Sequence, residues 1–116
     1  MDRVRRWGRK VHETDDRAAA MDGAHVRYAK SWTAPSCYGD PAAEAALRQG
    51  LRDWCVSEDW FAPARPQAPF LHCLPVRRNV VVTDEVLDGP RSRVVQQAGN
   101  RLHVQKALLW TLLETR

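Results

Sequence analysis

The sequence predicts an α/β fold: part of a doubly wound parallel sheet, closed by a long carboxyl-terminal helix. Three observations carry that expectation. Short alternating runs and alanine-rich helical runs follow one another, and a strand, short helix and strand close right-handed into a parallel pair. Two candidate strands stop at chemically loaded residues, Lys30-Ser31-Trp32 and His72-Cys73-Leu74-Pro75. In open parallel sheets that is the edge where ligands bind. Finally, "RLHVQKALLWTLLETR" carries a wide apolar side, with Leu102, Leu109 and Leu113 in line and Leu108 and Leu112 beside them.

Taken in order, "DRVRRWG" reads as the last turns of a helix stopped by Gly8, and "VHET" is a short first strand candidate. Asp15 to Ala24 is an alanine-rich helix with acids in its first turn. "HVRYAKSW" then alternates in the strand manner, with Val26 and Tyr28 as apolar positions. Asp40 before Pro41 reads as an N-cap followed by proline at the first helical position, opening "AAEAALRQG". "LRDWCVS" fits a strand or a continued helix, and Ser57 caps a short "EDWF" helix. The proline-punctuated stretch Ala62 to Pro69 is a connector, because each proline excludes helix. "FLHCL" is a short buried strand. A brief apolar run, "NVVV", leads to a short helix capped by Thr83 or Asp84 and stopped at Gly89-Pro90. "SRVVQ" is a further strand candidate, and Gly99-Asn100 opens the final helix.

The chain's 116 residues suit one modest core. Hydrophobic residues make up 44%, too many for a disordered chain. A net charge of +4 would suit an anionic partner. The acids are interspersed with the bases, however, and no basic run is interleaved with stacking aromatics, so a nucleic-acid binder is the lowest-ranked reading. Three cysteines with no CxxC pair argue against a disulfide framework or a structural zinc site. Free thiols fit a reducing cytoplasm. No stretch approaches the ~20 apolar residues of a membrane span, so no membrane partner is expected.

"HCLPVRRN", "TDEVLDGPRS" and "GNRLHVQKALL" occur in that order. Together they resemble the carboxyl-terminal part of the aspartate/ornithine carbamoyltransferase superfamily. "YAKSW" and "RRN" are closest to its N-acetylornithine branch. The resemblance runs from about Val11 to Leu113. It implies a Rossmann-like amino-acid-binding domain over residues 1–99. The final helix, 100–116, would pack on an amino-terminal carbamoyl-phosphate domain. It also implies transfer of the carbamoyl group of carbamoyl phosphate to the side-chain amine of N-acetylornithine, in arginine biosynthesis, with no cofactor and no metal. Family members are homotrimers. By the same resemblance, Cys73 and Leu74 hold the carbamoyl end and the attacking amine. Arg101 meets carbamoyl phosphate from its helix N-terminus, Lys30 pairs with the substrate carboxylate, and His72 orients the motif. Arg77 and Arg78 are either structural or on the rim.

The sequence also departs from the family pattern. It contains no S-x-R-T-R phosphate-binding motif and no H-P-x-Q segment. That fits a truncated gene, a mis-called start or half of a split enzyme, inactive alone. Val81 replaces a family lysine, and Gly99 replaces the acid of "ENRL". Ornithine and N-succinylornithine therefore stay open as substrates. A non-catalytic interaction domain derived from the family stays open as a function.

Overall fold

The sheet of this computed structural model, which describes residues 10–31 and 34–114, is a pair of parallel strands. β1 (Arg27–Ala29) pairs with β2 (Phe70–His72) in the register Arg27 to Phe70, Tyr28 to Leu71 and Ala29 to His72. The segment Arg91–Arg93 continues the pairing on the far side of β2. Phe70 N–H donates to the Arg91 carbonyl and Arg93 N–H to the Phe70 carbonyl, both at 2.9 Å.

Around this pair lie four α-helices among the described residues: α1 (Arg17–Met21), α2 (Pro41–Gly50), α3 (Asp84–Leu87) and α4 (Val94–Glu114). Local chemistry sets their starts. The Asp16 carboxylate accepts from Ala19 N–H at 3.1 Å and caps α1. Asp40 Oδ1 accepts from Ala42 and Ala43 N–H at 3.1 and 3.0 Å, with Pro41 in the first position of α2. The crossover from β1 to β2 runs through α2 and three 3-10 turns, Pro35–Cys37, Arg52–Trp54 and Glu58–Phe61. Val56 then bridges to Val82, with its N–H on the Val81 carbonyl at 2.9 Å. One core results, built on Phe70, Val82, Val86 and Val94, with Trp60, Phe61, Val56 and Leu87 around them.

Several expectations need correction. "VHET" forms no strand, so the parallel unit is β1–α2–β2 and not a hairpin-sized unit around α1. The helix expected over Asp15–Ala24 shrinks to five residues. "SRVVQ" is not a strand: Ser92 makes one bridge to Phe70, and helix begins at Val94. The final helix therefore starts well before Gly99-Asn100. Val94 is fully enclosed by the core and fixes that start, whereas an internal glycine costs a helix only about 1 kcal/mol and does not stop it. The helix expected over Asp2–Gly8 lies outside the described residues. So does Trp32.

No helix among the described residues is long and apolar enough to cross a membrane. From Arg101 to Glu114 every residue of α4 is exposed. The domain's own core covers only the beginning of that helix.

Candidate functional site

The parallel register places the ends of β1 and β2 side by side. Ala29 sits opposite His72, so Lys30 follows at the same edge as Cys73 and Leu74. These residues were picked out separately in the sequence, and the ladder brings them to one edge. Lys30 is exposed, Cys73 and Leu74 are half-buried, and His72 is shut off from solvent.

His72 is the anchor of this edge. Its Nδ1 accepts the Leu74 N–H at 2.9 Å. An imidazole nitrogen that accepts carries no proton, so the neutral ring holds its proton on Nε2. That Nε2 is buried and finds no hydrogen-bond partner among the described residues. Burial, and then the Lys30 ammonium, hold the imidazole below the ordinary histidine range. The ring stays neutral and keeps accepting from the turn. Leu74 in that turn takes a positive φ of 49°, a region that a branched side chain seldom occupies. The Leu74–Pro75 peptide is cis.

Arg101 is not at a helix N-terminus, contrary to expectation. It lies inside α4, exposed, so the helix end lends it no anion-binding backbone. Its link to the site is lateral. With Leu74, Pro75 and Arg78 it borders an open cavity of about 550 Å³. Lys30 borders a different cavity, on the β1 side.

Arg78, on the rim of the cavity that Arg101 borders, is held by two acids. Its Nη1 donates to Asp84 Oδ1 at 2.7 Å and to Asp88 Oδ2 at 2.6 Å, and its Nη2 to Asp88 Oδ1 at 2.8 Å. The guanidinium holds both carboxyls below the usual carboxylate range. Asn79, at φ 56°, donates to Asp84 Oδ2 and accepts the Asp84 N–H. The "RRN" segment is thus clamped onto α3, which fixes where the turn after Pro75 must go.

One residue at the sheet was missed. Alternation marked Val26 and Tyr28, yet both are half exposed and Arg27 faces inward, 5% exposed. Only a cation inside a strand run hinted at it. Cys37, Cys55 and Cys73 are free, and the described residues contain no cluster of metal-ligating side chains.

A parallel pair whose carboxyl edges carry a cation, a buried imidazole and a kinked Cys-Leu-Pro turn has the form of the ligand-binding edge of an open α/β domain. Residues 1–112 match the family model for the aspartate/ornithine carbamoyltransferase Asp/Orn-binding domain, and the chain belongs to that family. It is 46% identical over 101 residues to an N-acetylornithine carbamoyltransferase of Xylella fastidiosa, covering 87% of this chain and 29% of that protein. It is also 46% identical over 99 residues to an ornithine carbamoyltransferase of Burkholderia mallei, covering 85% and 31%. A crystal structure of N-acetyl-L-ornithine transcarbamylase superposes with a TM-score of 0.82 at 39% identity, over 93% of this chain and 33% of the other. The ornithine carbamoyltransferase from Pyrococcus furiosus gives 0.69 at 40% identity, over 81% and 29%. The chain spans about three tenths of the length of these relatives.

Proposed function

We propose that this chain supplies the amino-acid half of a carbamoyl-transfer site and takes N-acetylornithine as the acceptor amine. The observation that carries the reading is the juxtaposition of Lys30 with His72, Cys73 and Leu74 at one sheet edge. Lys30 pairs with the substrate carboxylate. The Cys73–Leu74 backbone, held by His72, positions the amine against the carbonyl carbon. Arg101, across the cavity from the same turn, faces the charge that gathers on the carbonyl oxygen and the departing phosphate. Catalysis of this kind is alignment and electrostatic stabilisation.

Relatives named for N-acetylornithine and for ornithine match equally well in identity. The preference for the acetylated substrate rests on "YAKSW" and "RRN". Structures of N-acetyl-L-ornithine transcarbamylase mutants complexed with carbamyl phosphate and N-succinyl-L-norvaline keep N-succinylornithine as the second reading.

This sequence holds no S-x-R-T-R, whose arginines would contribute charge-assisted contacts of about 1.5–3 kcal/mol each. Alone, the chain transfers no carbamoyl group. The test is a product assay with carbamoyl phosphate and N-acetylornithine, N-succinylornithine or ornithine. It is run with and without an amino-terminal segment of a relative bearing that motif. Turnover is expected only with the segment and first with N-acetylornithine. Turnover by the chain alone overturns the inactivity, and a preference for ornithine overturns the substrate.

A further inference from the structure

Arg27 is the most anomalous charge in the described structure. It lies in β1, is 5% exposed, and faces no carboxylate in any contact of the described residues. Its Nη1 reaches the Met21 sulfur, and its guanidinium carbon lies over the Phe61 ring, 4.6 Å from the centroid. A ring face satisfies the guanidinium's π surface and leaves the in-plane N–H donors untouched. Both remaining donors, Nε and Nη2, are buried and without a hydrogen-bond partner among the described residues. The charge that acts on it among the described residues, Arg91, is another cation, and the acid of Arg91 is Glu58 at 3.7 Å.

The two open nitrogens share one edge of the guanidinium. That edge presents two parallel N–H donors, the geometry that binds a carboxylate through both oxygens. Beside β1 lies a cavity of about 380 Å³, bordered by Arg27, Met21, Tyr28, Trp54 and Trp60, with Lys30 at its rim. This is the size of a small-molecule site, and its lining is mainly apolar and aromatic. The Met21 sulfur takes Nη1, on the other side of the guanidinium, and leaves the Nε–Nη2 edge unoccupied.

We infer that Arg27 and this cavity bind a small organic monocarboxylate with an apolar body. The carboxylate takes the Nε–Nη2 edge, and the body lies against Trp54 and Trp60. A monoanion matches the one buried guanidinium among the residues that line the cavity. A phosphate dianion would carry an uncompensated charge into an apolar wall. The site shares only Lys30 with the carbamoyl-transfer reading, and no turnover is needed to test it.

Benzoate is titrated into the wild-type chain, with benzamide as its neutral isostere and inorganic phosphate as an apolar-free anion. Of the chain's five tryptophans, Trp54 and Trp60 are followed through their assigned indole N–H resonances. Saturable benzoate binding is expected, with benzamide and phosphate each at least tenfold weaker. In Arg27→Met the benzoate affinity falls at least tenfold, while the ligand-free melting temperature holds or rises because an unpaired buried cation is gone. Should Arg27→Met not fold, the wild-type comparison and the shift of the Arg27 Nε–H resonance with benzoate decide. Equal binding of benzamide, equal binding of phosphate, or full benzoate affinity in Arg27→Met overturns the site.

Discussion

Leu109→Glu/Leu113→Glu probes the outer part of α4. Leu109 is 60% exposed and Leu113 72%, and Leu102, Leu108 and Leu112 are 61, 58 and 57% exposed. Burying a leucine completely stabilises by about 1.5–3 kcal/mol. Five leucines with more than half of that unrealised leave roughly 4–9 kcal/mol of burial available to whatever covers the helix. Within the monomer, by contrast, the two substituted side chains contribute little. The double variant should change the unfolding free energy by no more than about 0.5 kcal/mol per site, as surface substitutions do. Val82→Ala, in the enclosed core, should cost about 1.5–3 kcal/mol. The apolar stripe should also drive self-association of the wild type. Sedimentation velocity and denaturant melts on the three proteins check both halves. A wild type that sediments as a clean monomer, or a double variant that loses several kcal/mol, would show the helix already docked on this domain and refute the reasoning.

Three further outcomes follow from the geometry. In a reconstituted enzyme Arg101→Ala should lower kcat/KM most, by the ~2.7–4 kcal/mol typical of one donor aimed at developing charge, and Cys73→Ser less. Equal, mild effects in steady-state kinetics would break the site assignment. His72 has a depressed pKa when folded, so the unfolded chain takes up its proton first as pH falls. Stability should decline as pH drops below the usual 6.5 and through the lower folded value, and this step should vanish in His72→Gln melts. A Cβ at Gly89 would stand 2.3 Å from the Glu85 carbonyl oxygen, so Gly89→Ala should destabilise by about 1–3 kcal/mol in a denaturant titration.

Punctuation by local chemistry was legible. Asp40-Pro41 announces α2 because the cap and the proline act within one turn, and Gly89-Pro90 stops α3 for the same reason. The phase of β1 was not legible. Val26 and Tyr28 outrank Arg27 in hydrophobicity, yet what points inward is decided by the β2 register and by Phe61, far away in sequence. The start of α4 was hidden likewise: Gly99-Asn100 is a fair local signal, and burial of Val94 overrides it. At the site, residue types were readable and their relations only in part. Lys30, Cys73 and Leu74 share the expected edge. The bond from Leu74 to His72 and the Arg78 clamp on Asp84 and Asp88 depend on backbone angles that no spacing reveals.

The three-rung ladder between β1 and β2 sets the tolerance of everything at its end. A strand advances about 3.3 Å per residue and turns its side chains over at each step. A slip of one rung would carry Lys30 away from the Cys-Leu-Pro turn and present it to the opposite face. Residues that set the register, such as Phe70 and Leu71, therefore act as the alignment marks of the site. Anyone moving this chemistry to another scaffold would have to transplant both strands in register, because four letters without their neighbour carry composition and no geometry.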